Sequence, residues 1–93
     1  MAKVYFTKPA EKDLKHLSLS ARESLRDEHV PLLAENPHVG KLLHGPLRGY
    51  FSYDFHVEGI AYRIAYEINK GDVIILMINT RENFYKKFTR RIR

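Results

Sequence analysis

The stretch from Tyr50 to Asn79, YFSYDFHVEGIAYRIAYEINKGDVIILMIN, decides the fold. From Tyr50 to Val57 the residues alternate, with Phe51, Tyr53, Phe55 and Val57 on one side and Ser52, Asp54 and His56 on the other. A period of two marks a strand with one buried face. Ile60 to Ile68 repeats the pattern, setting Ile60, Tyr62, Ile64, Tyr66 and Ile68 against Ala61, Arg63, Ala65 and Glu67. The small residues beside Arg63 leave its guanidinium room to reach out. Asn69-Lys70-Gly71-Asp72 reads as a hairpin turn, and Val73 to Asn79 is almost wholly apolar, as in a strand covered on both faces.

Upstream, Lys3 to Thr7 reads as a short first strand, after which Thr7 supplies a cap and Pro9 a first-turn proline for a helix. Ala10, Leu14 and Leu17 recur at i, i+4 and i+7 and define its apolar face. Ser20-Ala21-Arg22-Glu23 has the form of a capping box, so a second helix is predicted from there, with Ala21, Leu25, Leu32 and Leu33 inward and an end at Asn36-Pro37. Pro31 predicts a kink or break inside it. Val39 to Gly49 is loop-like, punctuated by Gly40, Gly45, Pro46 and Gly49.

The expected architecture is α+β. An N-terminal strand and an antiparallel helical hairpin precede a three-strand antiparallel run that completes a four-stranded sheet, and Arg81 to Arg93 forms a short amphipathic basic tail. Ninety-three residues make one domain, 1–93, with one core.

The absence of cysteine excludes disulfides, thiolate metal sites and a cysteine nucleophile, and fits the cytoplasm best. Lys plus Arg exceeds Asp plus Glu by 16 to 11, a balance that attracts polyanions such as nucleic acid, the ribosome or an acidic protein. The longest apolar run, Val73 to Ile78, is far too short to span a bilayer, and no signal-peptide core follows the N-terminus, so no membrane partner is expected.

The five histidines, His16, His29, His38, His44 and His56, show no ligand spacing, so neither a metal nor any other cofactor is expected. His56, on the open face of its strand, is either a proton carrier near neutral pH or a plain exposed histidine. Phosphate-binding glycine loops, nucleophile elbows and H-E-x-x-H motifs do not occur. What remains is a set of arginines and tyrosines: Arg48, Arg63, Arg81, Tyr85, and the basic cluster Lys86, Lys87, Arg90, Arg91 and Arg93. Guanidinium groups bind phosphate bidentately and stabilise charge on a phosphodiester in flight, while tyrosine offers a stacking face for bases. Arg63 equally suits an ion pair with Glu67 or Asp54, and Tyr85 equally suits a core position.

Four segments, Pro9-Ala10-Glu11-Lys12-Asp13-Leu14, Leu33-Ala34-Glu35-Asn36-Pro37, Tyr62-Arg63-Ile64-Ala65-Tyr66-Glu67 and Thr80-Arg81-Glu82-Asn83-Phe84-Tyr85, resemble the RelE/ParE superfamily of type II toxin–antitoxin toxins in order, spacing and total length. The likeness is closer to RelE, through a strand Tyr-Arg-x-x-Tyr followed by Arg-x-x-x-Tyr. Members resembling RelE are mRNA interferases that cleave messenger RNA on the ribosome and so inhibit translation. Members resembling ParE poison DNA gyrase, and both kinds are neutralised by a cognate antitoxin. The resemblance implies a metal-independent endoribonuclease in which Arg63 and Arg81 meet the scissile phosphate region and Tyr85 stacks on a base. Arg48, Lys86, Arg90 and Arg91 are the further RNA-binding expectations. The chain departs from RelE in the second strand, where lysines would fall but Ser52 and Asp54, or Phe51 and Tyr53, stand instead. Proton transfer then falls to Asp54, His56 or a basic residue such as Arg48. The alternatives are a gyrase poison without chemistry, or a degenerate toxin that only binds its antitoxin.

Overall fold

The computed structural model describes all 93 residues. Strand β1 (Val4–Phe6) leads into helix α1 (Lys8–Lys15), which Thr7 caps by accepting a hydrogen bond from the Ala10 amide. A second helical rod follows in three pieces: α2 (Leu19–Ser24), a π-helical turn (Leu25–His29) and α3 (Val30–Glu35).

Two local expectations are corrected here. The cap of α2 is Ser18, whose side chain accepts from the Ala21 amide, and not Ser20. The chain turns straight out of α1, with Leu17 N–H bonded to Leu14 O, so the earlier serine reaches the free amides first. Pro31 does not break the rod. The π-helical turn changes the hydrogen-bond register before it, leaving Pro31 in the first turn of α3, where its missing N–H interrupts no bond. Leu32, expected inward, is 36% exposed, whereas Ala21, Leu25 and Leu33 are buried.

The sheet has five strands in the order β1-β5-β4-β3-β2, one more than expected. The addition is β2 (Lys41–Leu42), two residues paired antiparallel to Ser52 and Phe51 on β3 (Phe51–Val57). Strands β3, β4 (Ile60–Asn69) and β5 (Asp72–Thr80) form the expected antiparallel run, and Lys70 and Gly71 both take positive φ in the turn between β4 and β5. β1 pairs with β5 in parallel, making the sheet mixed. A bulge leaves Leu76 without a partner on β4.

Both faces of β5 are covered, but by different layers. The helical hairpin packs Ala10, Ala21, Leu25 and Leu33 against Tyr62, Ile64, Tyr66, Val73 and Ile75. On the opposite face the basic tail forms a helix, α4 (Phe84–Arg91), whose Phe84 and Phe88 are 1% and 0% exposed and pack on Ala65 and Met77. The face expected to be open is thus half covered, and Ser52 is buried there. The uncovered half holds the candidate site.

Candidate functional site

Arg63 and Asp54 are direct partners in the ladder between β4 and β3, so their side chains leave the same face of the sheet. The guanidinium closes a bidentate pair on the carboxylate, Nε to Oδ1 at 2.7 Å and Nη2 to Oδ2 at 3.1 Å. Of the two partners the sequence allowed for Arg63, the structure selects Asp54. Ala61 and Ala65, two residues to either side, raise no wall around Arg63, and α4 uses the space above Ala65. That brings the Tyr85 ring over the guanidinium, 4.7 Å from Cζ to the ring centre, with Phe84 at 5.8 Å. The Tyr85 hydroxyl donates to Ser52 Oγ at 3.2 Å. Tyr85 is therefore a half-buried residue at the cleft wall and not a core side chain.

Arg81 follows the end of β5, its amide bonded to Ala61 O, and its Nε lies 3.9 Å from Asp54 Oδ2. Asp54 thus faces two guanidinium groups, with exposed His56 two residues along the same strand. Hydrogen bonding from Arg63 holds the Asp54 carboxyl below its ordinary range; partial burial opposes this, and the positive charges of Arg63, Arg81 and His56 add to it. The same hydrogen bond raises the Arg63 pKa against a smaller effect of burial. A carboxylate held ionised in this way is suited to orienting an arginine. The lowered pKa counts against Asp54 as the proton carrier, and His56 is the other candidate exposed on this face.

Arg63, Asp54, Ser52 and Tyr85 line a cleft of about 270 Å³ together with Tyr53, Val39, Gly40 and Lys41, the last of these being the ladder partner of Ser52. Sequence patterning does not single out Lys41. It sits on a two-residue strand, too short to show any periodicity, and the Gly40-Lys41 pair after Asn36-Pro37 is its sole signal.

The remaining basic residues separate into two groups. Lys86 and Arg90 are exposed on the outer side of α4, and Arg48 is exposed beyond the Gly45–Leu47 turn, away from the cleft. Arg91 is committed elsewhere: it bonds both oxygens of Asp13, at 2.6 and 3.0 Å, and the bulge carbonyl of Leu76 at 3.0 Å. Asp13 in turn accepts from the Ile78 amide. Arg91 fastens α4 to α1 and β5, a structural engagement that Lys86 and Arg90 do not share.

With this fold and this cleft, the chain belongs to the ParE-like toxins of type II bacterial toxin–antitoxin systems, whose sequence model matches residues 4–89. The toxin–antitoxin complex RelBE2 of Mycobacterium tuberculosis contains a similar chain, 31% identical, with 86% of this chain and 98% of that one covered and a TM-score of 0.72. An arginine double mutant of the Escherichia coli toxin RelE in its free state is similar over the full length of both chains at 19% identity and a TM-score of 0.75. E. coli YafQ is similar at 15% identity, with 91% and 99% covered and a TM-score of 0.60. The last two likenesses are of fold. No curated protein sequence matches the chain.

Proposed function

We propose that this toxin is a metal-independent, ribosome-dependent endoribonuclease that cleaves messenger RNA and so inhibits translation. The observation that carries this reading is the stack of Arg63 under the Tyr85 ring beside Arg81, at the edge of an open cleft. Two guanidinium groups suit the non-bridging oxygens of a phosphodiester, and the exposed part of the Tyr85 ring suits an unstacked base. In the reaction the RNA 2′-oxygen attacks the adjacent phosphorus and the bond to the 5′-oxygen breaks. A 2′,3′-cyclic phosphate and a 5′-hydroxyl remain. The 2′-hydroxyl proton leaves to a base, for which His56 is the candidate on this face, and the 5′-oxygen takes a proton as it departs. Arg63 and Arg81 stabilise the charge on the phosphoryl oxygens between those events. Lys86 and Arg90 extend the positive surface along α4 toward neighbouring RNA.

The partner in the cell is a cognate antitoxin. The similar chains of M. tuberculosis RelBE2 and E. coli RelBE are in complex with antitoxins, and the surplus of basic over acidic residues here favours an acidic, partly disordered segment lying along the helices and the sheet face. Co-purification after co-expression of the toxin and antitoxin genes tests this, with binding expected to weaken as salt rises.

Toeprinting on translating ribosomes, run beside a supercoiling assay with gyrase, tests the nuclease. New 5′ ends within the message that require both ribosome and toxin support it. Inhibited supercoiling with intact message supports instead a gyrase poison. That second reading is favoured by the cation-free outer face of β3 and by the occupation of Arg63 by Asp54.

A further inference from the structure

We propose that Lys41 is the principal phosphate-binding cation of the cleft, and that it seats a single-stranded RNA phosphodiester whose flanking base lies in the neighbouring groove of Leu42, His44 and Leu47. The proposal rests on the nucleic-acid reading above and adds a residue and a subsite to it.

The first support is the charge inside the cleft. Arg63 is closed on Asp54 through two hydrogen bonds, so the pair presents little net charge to an incoming anion, and Arg81 shares the same carboxylate. Lys41 lines the same cleft beside Ser52, is exposed, and takes part in none of the ion pairs of the molecule. An anion entering the cleft meets its least compensated positive charge at Lys41.

The second support is that Lys41 is held in place. Its strand pairs with Ser52, the residue that receives the Tyr85 hydroxyl. The preceding Gly40 donates its amide to the Tyr66 hydroxyl at 3.0 Å, and that hydroxyl donates to Pro37 O at 2.7 Å. Tyr66 is fully buried, so the backbone before Lys41 is tied to the core through one phenol. A Cβ at residue 40 would lie 2.5 Å from the Tyr66 oxygen and 2.7 Å from Ser52 O, so the close approach requires glycine. The backbone that carries Lys41 is thereby fixed at the cleft, so phosphate binding has only the side chain itself left to order.

The third support is the groove next door. It measures about 210 Å³, is lined by Lys41, Leu42, Leu43, His44, Leu47 and Tyr85, and shares Lys41 and Tyr85 with the polar cleft. Those two residues are thus common to a polar compartment and a mostly apolar one. A nucleotide matches that division, with its phosphate on the polar side and its base against Leu42, Leu47 and the Tyr85 ring.

The test uses the full chain, labelled with nitrogen-15 and titrated with a dinucleoside monophosphate whose 2′-O-methyl group blocks cleavage, alongside toeprinting of the same variants. Amide shifts at Gly40, Lys41, Leu42 and Ser52 are expected. Lys41→Ala should weaken the affinity about fivefold or more and Lys41→Arg should largely restore it. Cleavage by Lys41→Ala should fall about a hundredfold with the thermal midpoint unchanged. An edge-strand lysine that only guards against sheet pairing predicts unchanged binding and cleavage in Lys41→Ala, with self-association instead, and this overturns the proposal. Shifts confined to Arg63 and Arg81 overturn it as well. If the dinucleotide binds through Lys41 but the wild type leaves message intact on ribosomes, the phosphate site stands and the nuclease reading falls. If the wild type cleaves and Lys41→Ala binds and cleaves equally well, the nuclease stands and the Lys41 site falls; absence of both binding and cleavage removes both.

Discussion

Asp54 and Arg63 face each other across β3 and β4, and the carboxylate takes both ends of the guanidinium fork at 2.7 and 3.1 Å. On the proposed nuclease reading, an internal carboxylate thus occupies the position that an RNA phosphate would take on this arginine, holding the side chain in shape while lowering its pull on anions. Ligand binding at Arg63 becomes an exchange of one anion for another.

Asp54→Asn should therefore tighten RNA binding, by about three- to tenfold at low salt, because the cleft gains one unit of positive charge. The Asp54 side chain is 39% exposed and solvent screens the pair, so the stability lost should be only about 0.2–1 kcal/mol. Since folding lowers the Asp54 pKa, that contribution is present at neutral pH and disappears as pH falls below the ordinary carboxyl value of 3.8 and through the folded one. Fluorescence anisotropy with a non-cleavable RNA, at two salt concentrations, reads the affinity; weaker binding by the variant would contradict the exchange.

Arg63 and Arg81 should differ in stability and agree in activity. The Arg63 side chain is 14% exposed and packed under Tyr85, whereas that of Arg81 is 51% exposed. Arg63→Ala should cost about 1 kcal/mol and Arg81→Ala less than about 0.5 kcal/mol, with message cleavage dropping about a hundredfold or more in each. Thermal melts and toeprinting measure the two effects. Full specific activity in a folded Arg63→Ala protein would make that arginine architectural.

Tyr85 separates ring from hydroxyl. Tyr85→Phe loses the 3.2 Å bond to Ser52 and keeps the ring over Arg63, so cleavage should fall by no more than about fivefold. Tyr85→Ala removes the stacking surface and should lose about 1–3 kcal/mol of base binding. Equal losses in the two variants would shift the role from ring to phenol.

Arg90 and Arg91 are neighbours with opposite expectations. Arg91→Ala leaves the Asp13 carboxylate, 13% exposed, without its charged partner and frees α4 from α1, so the protein should lose about 1–3 kcal/mol while RNA affinity stays within about twofold. Arg90→Ala should do the reverse, weakening RNA binding with no change in the melt. Denaturant titration beside anisotropy distinguishes them, and an Arg91→Ala protein that is stable but deficient in RNA binding would refute the assignment.

His29 makes stability depend on pH well above the carboxylate range. Its ring packs at a tilt against Phe55 with centroids 4.6 Å apart, its Nδ1 is 2.7 Å from the Tyr53 hydroxyl, and burial lowers its pKa against a weaker opposing pull from Glu28. A base with a depressed folded pKa takes up its proton first in the unfolded chain. Stability should therefore fall as pH drops below the ordinary histidine value of 6.5, down to the folded pKa. Urea midpoints at about pH 7.5 and 5.5 should separate in the wild type and converge in His29→Phe. Identical pH slopes in the two proteins would place the sensitivity elsewhere.

Sequence alone determined the features that depend on near neighbours. The alternation of Phe51 to Val57 and of Ile60 to Ile68, the Lys70-Gly71 turn and the Thr7 cap with Pro9 are all settled within a few residues, because strand pleat, turn dihedrals and caps are local geometry. Asp54 was legible only as one of two candidate partners for Arg63, beside Glu67, and the β3–β4 register decided between them. Only the tertiary structure decided what a distant surface supplies. Phe84 and Phe88 turn a basic tail into a packed helix because Ala65 and Met77, from two different strands, give them a surface to pack on. Pairing with β3 makes a strand of Lys41 and Leu42, and the Tyr66 phenol fixes the backbone just before them from 26 residues away. Arg90 and Arg91 look alike in sequence, but Asp13, 78 residues before Arg91, takes the guanidinium of the second. Burial and pairing of this kind are set by which surfaces meet, and no local pattern along the chain encodes the meeting.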